Sequence, residues 1–435
     1  MSRSHVEPLD YLFGLEQFGI KFGLENIRAL VAALGHPERA FQSVHIAGTN
    51  GKGSVTAMVD AGLRAAGHRS GRFTSPHLID LTERFAIDDC PVTQEALAAA
   101  IADLRGRVDS SIASGALRAQ PTFFEATTAL ALELFRRAGV DVAVIEVGLG
   151  GRLDSTNVIT PMATAITSIA FDHEAYLGHT LGAIATEKAG IIKRQVPVVV
   201  GRVPAEAESA IELIARDRGS DVVRAWDGVT VEPARHARGA PTRVRLRTPA
   251  HDYGEITISL RGTHQIGNAV VAVRLLELLD QRGVRVPADA IVRGLDTVTW
   301  PGRLDHRRLS HGREMLLDAA HNPAGAAMLA GYIADTFDEK PPLVFAAMRD
   351  KDAARMFEVL LPAVGALIVT RASTTRSADP ETLAHHATAV APGLRVLIEP
   401  DRADALAAAW KMSPRIVVAG SIFLLGDVLR ETAGS

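Results

Sequence analysis

One segment of the chain has the residue types and spacing of a phosphate-binding loop. Residues 45–54 read His-Ile-Ala-Gly-Thr-Asn-Gly-Lys-Gly-Ser, after a short apolar run that predicts a strand. Glycines let a backbone wrap around a phosphate, and the free N–H groups at a helix start attract anions. Lys52 would reach the β- and γ-phosphates and Ser54 a magnesium ion, although Gly53 separates them and breaks the usual G-x-x-x-x-G-K-[ST] pattern. A solvent-facing glycine turn is the alternative; the flanking strand and helix favour phosphate binding.

Two further strands are predicted to end in side chains that suit metal or phosphate chemistry. The apolar run 142–145 predicts a central strand, and Glu146 stands at its carboxyl end, where open α/β sheets bind ligands. A magnesium ion held with nucleotide phosphates would explain this carboxylate. A salt bridge to Arg152 is the alternative, and the segment alone leaves both open. His173 follows the next predicted strand, either as a ligand at the same edge or as an ordinary histidine.

Two other polar residues have no role that their pattern alone assigns. Ser75 lies in the turn Thr-Ser-Pro-His-Leu, where its hydroxyl could ligate a metal or cap a helix. Lys188 lies in a helical stretch, where a solvated lysine is the simpler interpretation.

The carboxyl-terminal part repeats the design of a strand that ends in polar residues. Asp318 ends a predicted strand and could accept a hydrogen bond from a ribose hydroxyl. His321 and Asn322 precede a proline that suits the first turn of a helix, so Asp318 or Asn322 could instead cap that helix. Arg303, in a Pro-Gly-Arg turn, could clamp a phosphate with two N–H groups or remain an ordinary surface arginine.

The elements that must position these residues alternate along the chain. Short β-branched apolar runs between helical patterns are typical of parallel sheets crossed by helices. Apolar residues at helical spacing after Gly53 predict a helix with one buried face. Alternation over 243–260 predicts an antiparallel hairpin appended to the first sheet, and a long apolar helix follows at about 268–279. The strands predicted before the hairpin are 44–47, 142–147, 163–169 and 196–200.

A boundary between two domains is predicted where Pro301 and Gly302 interrupt this pattern. The strands predicted after it are 315–318, 342–348, 366–370, 395–398 and 415–419, with helical stretches between them. They indicate a second doubly wound unit of common domain size. We therefore predict an α/β fold with an N-terminal P-loop-type, doubly wound ATPase domain over 1–297 and a C-terminal Rossmann-like α/β domain over 298–435.

The composition excludes several classes of protein. The chain has 435 residues, and its 47 basic and 50 acidic side chains give a net charge of −3, so no polybasic surface for nucleic acid or membrane is indicated. The single cysteine, Cys90, excludes an intramolecular disulfide framework and a thiolate zinc site and suits a reducing cytosol. Since no apolar leader or membrane-spanning run is found, we expect a soluble, cytoplasmic protein.

Taken together, the motifs resemble those of the folylpolyglutamate synthase/dihydrofolate synthase family, within the Mur ligase superfamily. The resemblance covers almost the whole chain, and the motifs follow one another in the family's order. They are HIAGTNGKGS at 45–54, TSPHL at 74–78, EVGLGGRLDSTN at 146–157, SIAFDH at 168–173, EKAGI at 187–191, HQIGNA at 264–269, PGR at 301–303 and DAAHNP at 318–323.

The resemblance implies an ATP-dependent ligase that joins L-glutamate to dihydropteroate, to folates or to both. In that family ATP phosphorylates the carboxylate, the glutamate amine attacks the acyl phosphate, and phosphate leaves. Two Mg²⁺ sites are implied. Ser75 and Glu146 would hold the nucleotide-bound ion. Glu146 and His173 would hold the second ion, which Lys188 would support as a carbamylated lysine.

The same resemblance implies roles for the remaining site residues. The catalytic residues would be Lys52, Lys188, His173 and Glu146. ATP would contact Thr49, Asn50, Gly51, Lys52, Gly53, Ser54, Asn268, Arg303, Asp318 and His321. The pterin-bearing substrate would contact Gly23, Leu24, Glu25, Asn26, Thr122, Phe124, Glu125, Asp154 and Ser155, with Phe124 stacked on the pterin ring.

Two features depart from the family's pattern. Ser155 follows Leu-Asp at a position where many relatives have alanine, and this bears on the pterin pocket. The segment 85–92, expected to be a loop, lacks the basic and glycine residues that usually follow Thr-Glu-Arg. We expect it to contact the substrate differently.

Two other functions fit parts of the pattern. A peptidoglycan-precursor ligase of the same superfamily usually carries an additional N-terminal domain, for which the roughly 43 residues before the phosphate loop are too few. A catalytically inactive nucleotide-binding regulator is disfavoured, because Lys52, Glu146, His173 and Lys188 are retained together. We expect small-molecule substrates, no nucleic-acid or membrane partner, and a monomer.

Overall fold

The first two thirds of the chain is built around an eight-stranded sheet. A computed structural model describes residues 3–19, 21–234 and 239–432. The strands of this sheet are β1 (Gln42–Ala47), β2 (Ser70–Phe73), β3 (Phe85–Ile87), β4 (Cys90–Pro91), β5 (Val142–Glu146), β6 (Ala163–Ile166), β7 (Val198–Val200) and β8 (Val222–Arg224). They lie in the order β4-β3-β2-β5-β1-β6-β7-β8. Neighbouring strands along β2-β5-β1-β6-β7-β8 pair in parallel. β3 pairs antiparallel with both β2 and β4.

Three neighbouring strands place the expected site at one edge of this sheet. β1 pairs in parallel with β5 and with β6, so that Ile46 lies opposite Glu146 and Ala47 opposite Ile166. The phosphate loop after β1, the carboxylate at the end of β5 and the segment after β6 therefore meet at the carboxyl edge, as doubly wound sheets predict.

Helices cover both faces of the sheet. They are α1 (Arg3–Gly14), α2 (Glu25–Ala33), α3 (Lys52–Ala65), α4 (Gln94–Ala113), α5 (Phe123–Ala138), α6 (Glu174–Leu177), α7 (Leu181–Ala189), α8 (Ala205–Arg218), α9 (His264–Gln281) and α10 (Ala288–Thr297). Val142 and Val144 of β5 pack into the core that includes α3 and α9, whereas Ala143 and Ile145 pack into the core with α4 and α5. Burial on both faces explains the continuous apolar run of this strand.

The prediction that α3 buries one face is wrong. Every residue from Ser54 to Leu63 is buried, because the helix is enclosed by the sheet, α9 and α10. The approach is close: a Cβ at Gly62 would lie 2.5 Å from a methyl carbon of Leu276, and one at Gly294 would lie 2.6 Å from the backbone of Gly62.

The predicted hairpin over 243–260 forms, but it does not extend the first sheet. β9 (Thr230–Pro233), β10 (Thr242–Arg247) and β11 (Asp252–Ile258) make a separate antiparallel sheet in the order β11-β10-β9. Residues alternate between buried and exposed along β10. Val244 and Leu246 join the core that contains α9, so the hairpin packs on that helix instead of pairing with β8.

The carboxyl-terminal third forms a six-stranded sheet with helices on both faces. Its strands are β12 (Asp305–Arg308), β13 (Glu314–Asp318), β14 (Pro342–Phe345), β15 (Ala366–Val369), β16 (Arg395–Ile398) and β17 (Arg415–Ala419), in the order β12-β13-β17-β14-β15-β16. Its helices are α11 (Pro323–Thr336), α12 (Ala353–Leu360), α13 (Pro380–Val390), α14 (Arg402–Met412) and α15 (Ile422–Thr432). All pairs are parallel except that of β12 with β13. The predicted α/β class is confirmed; the edge strand β12 was not predicted.

Several element boundaries differ from the prediction. The strands predicted at 142–147, 163–169 and 342–348 end earlier, at Glu146, Ile166 and Phe345, because the residues beyond them form the loops of the site. The segment 85–92 is not a loop: β3 and β4 form a hairpin that pairs with β2. In the described part of the chain, no helix combines the length and apolar character that crossing a membrane requires.

Candidate active site

The phosphate loop joins β1 to α3 and lies against α9. Gly51 has a φ of +85°, a conformation that favours glycine. A Cβ at this position would also lie 2.4 Å from Oδ1 of Asn268. The structure therefore brings together Gly51 and Asn268, two of the residues predicted to bind ATP.

Gly53, which breaks the phosphate-loop pattern, lies under an indole ring. A Cβ at Gly53 would be 2.9 Å from Nε1 and 3.0 Å from Cζ2 of Trp300. The guanidinium of Arg72 lies 5.1 Å from the centre of the same ring. The extra glycine thus makes room for Trp300, which leads directly into the turn that carries Arg303.

The side chains of Thr49 and Asn50 are held by neighbouring segments. The Thr49 hydroxyl donates to the carbonyl of Ala170 at 3.1 Å. Asn50 and Asn322 exchange two hydrogen bonds through their amides, at 3.3 and 3.0 Å. These contacts fix the loop and tie it to the start of α11, and the predicted ATP contacts of Thr49 and Asn50 stay predictions.

Two lysine amines converge on one backbone carbonyl. Lys52 Nζ donates to the oxygens of Gly48 and Thr49 at 3.1 and 3.2 Å, and Lys188 Nζ donates to that of Gly48 at 2.9 Å. Lys188 is 5% exposed, so its interpretation as a solvated helix lysine is wrong. Burial and the charge of Lys52 lower the pKa of Lys188 to about 7. Its amine is therefore partly uncharged, and nucleophilic, near neutral pH.

Glu146 is a buried carboxylate that accepts one hydrogen bond within the described part of the chain. Its Oε2 accepts from the backbone N–H of Ser75 at 3.3 Å. Burial raises the pKa of this carboxyl, and nearby cations, Lys52 foremost, oppose that shift. The alternative of a salt bridge to Arg152 is wrong, because Arg152 pairs with Glu187 at 2.9 Å. Ser75 and Glu146, predicted to bind one metal ion, are therefore in contact.

His173 belongs to a cluster that links the end of β6 to the carboxyl-terminal sheet. Lys351 Nζ lies 2.6 Å from Oδ1 of Asp172 and 3.4 Å from Nε2 of His173. Oδ2 of Asp172 accepts from Asn322 at 3.2 Å and lies 3.5 Å from Nε2 of His321. Burial lowers the pKa of His173 to about 4. Its imidazole is therefore neutral at pH 7, the state in which histidine ligates metals.

Asp318 is fixed by the backbone around it. Its oxygens accept from the N–H groups of Leu304 at 2.8 Å and Ala320 at 2.9 Å. Burial raises the pKa of its carboxyl, and Arg303 opposes that shift, as it does for Glu146. Arg303 therefore acts electrostatically on the buried carboxylates of both large sheets.

The helix that follows Asp318 is capped by Asn322. The Asn322 side chain accepts from the N–H of Gly325 at 2.8 Å, and Pro323 is the first helical residue. Of the two capping alternatives, the structure selects Asn322. The role of Asp318 at a nucleotide stays a prediction.

The predicted metal ligands suit magnesium only together with a nucleotide. Within the described residues, no group of three or more His, Cys, Asp or Glu side chains is arranged to hold a metal ion. Mg²⁺ typically binds one or two protein carboxylates, substrate phosphates and water. The hydroxyl of Ser75 and the carboxylate of Glu146 fit that pattern. The second predicted site has the carboxylate of Glu146 and the imidazole of His173. A carboxylate on Lys188 would add a further oxygen ligand there.

The two predicted substrate segments, 23–26 and 122–125, are joined by a capping interaction. Glu125 Oε2 accepts from Asn26 Nδ2 at 3.0 Å and from the N–H of Thr122 at 2.7 Å, while the Thr122 hydroxyl accepts from the N–H of Glu125 at 3.1 Å. This reciprocal pair starts α5. Leu24 is buried in the core. Glu125 and Leu24 therefore hold the segments in place, and direct contacts to substrate stay predictions.

An aromatic ring and a buried aspartate shape the loop after β5. A Cβ at Gly148 would lie 2.4 Å from Cζ of Phe124, so glycine lets this half-buried ring cover the loop. Asp154 accepts from the N–H groups of Leu149 at 2.8 Å and Thr156 at 3.0 Å, and from the Thr156 hydroxyl. In this structure Asp154 organises the loop, and the pterin contacts of Phe124, Asp154 and Ser155 stay predictions.

Two domains of known ligases match this chain. The Mur ligase middle domain matches residues 92–276, and the Mur ligase glutamate ligase domain matches residues 302–422. A Mycobacterium tuberculosis protein named dihydrofolate synthase/folylpolyglutamate synthase is 39% identical over 83% of this chain and 76% of its own length. The chain belongs to the folylpolyglutamate synthase/dihydrofolate synthase family. The predicted family and its ligase class are confirmed.

Solved structures from the family share the fold over nearly the full length of this chain. The crystal structure of Mycobacterium tuberculosis folylpolyglutamate synthase complexed with ADP and AMPPCP matches with a TM-score of 0.91 and 34% identity, over 98% of this chain and 99% of that one. A Haloferax volcanii relative, a probable bifunctional folylpolyglutamate synthase/dihydropteroate synthase, is 37% identical over 97% of this chain. This chain spans half the length of that relative.

Four residues at the site were not predicted from the sequence. Asp172 lies in the motif SIAFDH at 168–173, directly before the predicted site residue His173. Lys351 follows β14 in a charged run that gives no signal of a site. Gln265, which lies 3.3 Å from the Ser54 hydroxyl, and Trp300 were likewise not predicted. For Trp300 the signal was the unexplained glycine at position 53.

Proposed function

We propose that this protein is an ATP-dependent ligase that joins L-glutamate to dihydropteroate, to folates or to both through an acyl phosphate. The observation that carries the proposal is the arrangement around the phosphate loop. Lys52, Lys188 and the buried carboxylate of Glu146 lie around the phosphate loop, and Glu146 and Lys188 fall inside the matched Mur ligase middle domain, residues 92–276. The names of the relatives support glutamate ligation to both kinds of acceptor.

The reaction must activate a carboxylate, which is a poor electrophile. The γ-phosphoryl group of ATP passes to a carboxylate oxygen and ADP is released. The glutamate amine then attacks the carbonyl carbon, the bond to phosphate breaks, and an amide forms. Such a phosphoryl transfer depends on positioning and charge neutralisation. Lys52, which already turns toward the loop, and Arg303, which acts on both buried carboxylates, would supply positive charge.

Magnesium would be held at two places by residues of this chain. Ser75 and Glu146 would bind the ion that accompanies ATP, and Glu146, His173 and Lys188 would form the second site. The bound ions would neutralise phosphate charge. Lys188 would require a carboxylate, which carbamylation by CO₂ provides. Burial supports this modification, since an amine with a pKa of about 7 is partly uncharged at neutral pH and can attack CO₂.

The predicted organisation completes the proposal. We assign residues 1–297 to the ATP- and pterin-binding domain and 298–435 to the C-terminal domain, with ATP bound at their junction. The matched glutamate ligase domain, which begins at residue 302, supports this boundary. The contact of Asn50 with Asn322 supports a shared site. We further propose that the protein acts as a monomer in the cytoplasm.

The test is ADP release by the purified protein with Mg²⁺, ATP and L-glutamate. Dihydropteroate and tetrahydrofolate are supplied separately as acceptors. We expect release to depend on an acceptor and on glutamate, and the product mass to rise by one or more glutamyl residues. A folded protein that releases no ADP with either acceptor would instead be a nucleotide-binding regulator.

A further inference from the structure

Arg84 is a buried arginine that has no carboxylate within ion-pair distance among the residues that the structure describes. It ends a short helical turn (Leu81–Arg84) and is 7% exposed. Its Nε donates to Nδ1 of His77 at 3.0 Å, and among the described residues it forms no ion pair within 4.0 Å. Arg72, an equally buried arginine, differs, because it pairs with Asp60 at 3.0 Å and Asp89 at 2.7 Å.

Glu16, Glu146 and Glu83 act on Arg84 electrostatically, in that order of size, but none of them lies within ion-pair distance of its guanidinium. Glu83 accepts from the N–H groups of three residues of its own loop, at 2.7 to 2.9 Å. Burial lowers the pKa of Arg84 to about 10, so its guanidinium is charged at neutral pH. A buried cation left in this state is costly unless an anion joins it.

The position of Arg84 indicates which anion that is. The guanidinium carbon lies 5.2 Å from the centre of the Phe123 ring, next to Phe124 at the expected pterin end. The carbonyl of Arg84 accepts from the N–H of Thr74 at 3.2 Å, adjacent to Ser75, which contacts Glu146. Arg84 thus stands between the aromatic end of the site and its phosphate-transfer end.

The same loop also touches the carboxyl-terminal sheet unit. A Cβ at Gly426 of α15 would lie 1.9 Å from the carbonyl oxygen of Leu78, and Arg430 donates to the carbonyl of Ile79 at 3.0 Å. The loop that carries Arg84 is therefore packed between the two large sheets, where the proposed ligase must bring the acceptor and ATP together.

We propose that Arg84 binds the acceptor carboxylate that is phosphorylated by ATP. The inference rests on the proposed function. An acceptor with a pterin ring at one end and the reactive carboxylate at the other would span the distance from the Phe124 side to the γ-phosphate, with Arg84 along its path. The guanidinium can give two parallel N–H bonds to a carboxylate. It would hold the acceptor oxygen toward the γ-phosphate and replace the missing ion pair.

Steady-state kinetics of Arg84→Met and Arg84→Lys provide the first test. Removing a charged hydrogen bond should raise the KM of Arg84→Met for the acceptor by about 10- to 150-fold, with the KM for ATP nearly unchanged. Arg84→Lys should recover part of that loss. Arg72→Met is the matched control and should leave the KM for the acceptor nearly unchanged. An unchanged acceptor KM in a folded Arg84→Met variant would overturn the inference.

Binding and stability separate a ligand contact from a structural role. Wild type should bind pteroate more tightly than a pterin without the carboxylate, and Arg84→Met should bind the two with equal affinity. Without ligand, Arg84→Met should unfold at the same temperature as wild type or higher, whereas Arg72→Met should unfold lower. A large drop in the Tm of Arg84→Met with retained preference for the carboxylate would assign Arg84 to the fold. If wild type neither ligates glutamate nor binds pteroate, the proposed function fails instead.

Discussion

Two buried carboxylates end parallel strands in the two large sheets, and they differ in how their oxygens are used. Glu146, at the end of β5, accepts one backbone hydrogen bond at 3.3 Å, whereas Asp318, at the end of β13, accepts two at 2.8 and 2.9 Å. Burial raises the pKa of both. Hydrogen bonding, not burial, therefore distinguishes a carboxylate that can still bind a cation from one that fixes the backbone.

The sharpest test of this contrast is Glu146→Gln. If Glu146 binds magnesium, turnover should fall on the order of 1,000-fold, because a bound metal ion contributes several kcal/mol to charge stabilisation. Thermal unfolding in metal-free buffer should occur at the same temperature or higher, since the amide can accept the Ser75 bond without a buried charge. Near-normal turnover at saturating Mg²⁺ would remove Glu146 from the reaction.

Lys188→Ala should have the next largest effect. We expect turnover to fall by about 100-fold, the upper range for removing a group that supports a metal site, and added bicarbonate or acetate to restore part of it. Lys193→Ala is the matched control, because burial also lowers the pKa of Lys193, to about 8, while its amine bonds the carbonyl of Asn157 at 2.8 Å. Lys193→Ala should lose little turnover and gain nothing from bicarbonate. Normal activity of Lys188→Ala without added carboxylate would contradict the metal-supporting role.

The strands that end in Glu146 and Asp318 could be predicted from the sequence, but the contacts of the site residues could not. Apolar runs located β5 and β13, and the acids at their ends were chosen as site residues from the sequence. No local pattern shows that β1 lies between β5 and β6, because sheet order depends on long-range packing. Asp172 and Lys351 are separated by 179 positions. The burial of Lys188, which changes its chemistry, likewise depends on neighbours distant in the chain.

Asp318→Asn applies the same kind of substitution to the other sheet. One amide nitrogen would face the N–H group of Leu304 or Ala320, so a hydrogen bond is lost and a buried donor is left without an acceptor. We expect the free energy of unfolding to fall by about 1–3 kcal/mol, as measured by urea denaturation. If Asp318→Asn were as stable as wild type while Glu146→Gln were destabilised, the assignment of the two carboxylates would be reversed.

The pH dependence of stability tests whether the fold keeps the buried amine of Lys188 uncharged near neutral pH. Burial lowers the pKa of Lys188 from 10.5 to about 7, so between these values the unfolded chain binds a proton that the native protein does not. Stability should therefore rise with pH across this window, by up to about 1.4 kcal/mol per pH unit from this group. In CO₂-free, metal-free buffer, Lys188→Met should remove that part of the slope, whereas Asp318→Asn should keep it. Lys193 contributes equally to all three proteins, so the difference between their slopes isolates Lys188, and equal slopes for wild type and Lys188→Met would show that its amine is charged in the fold.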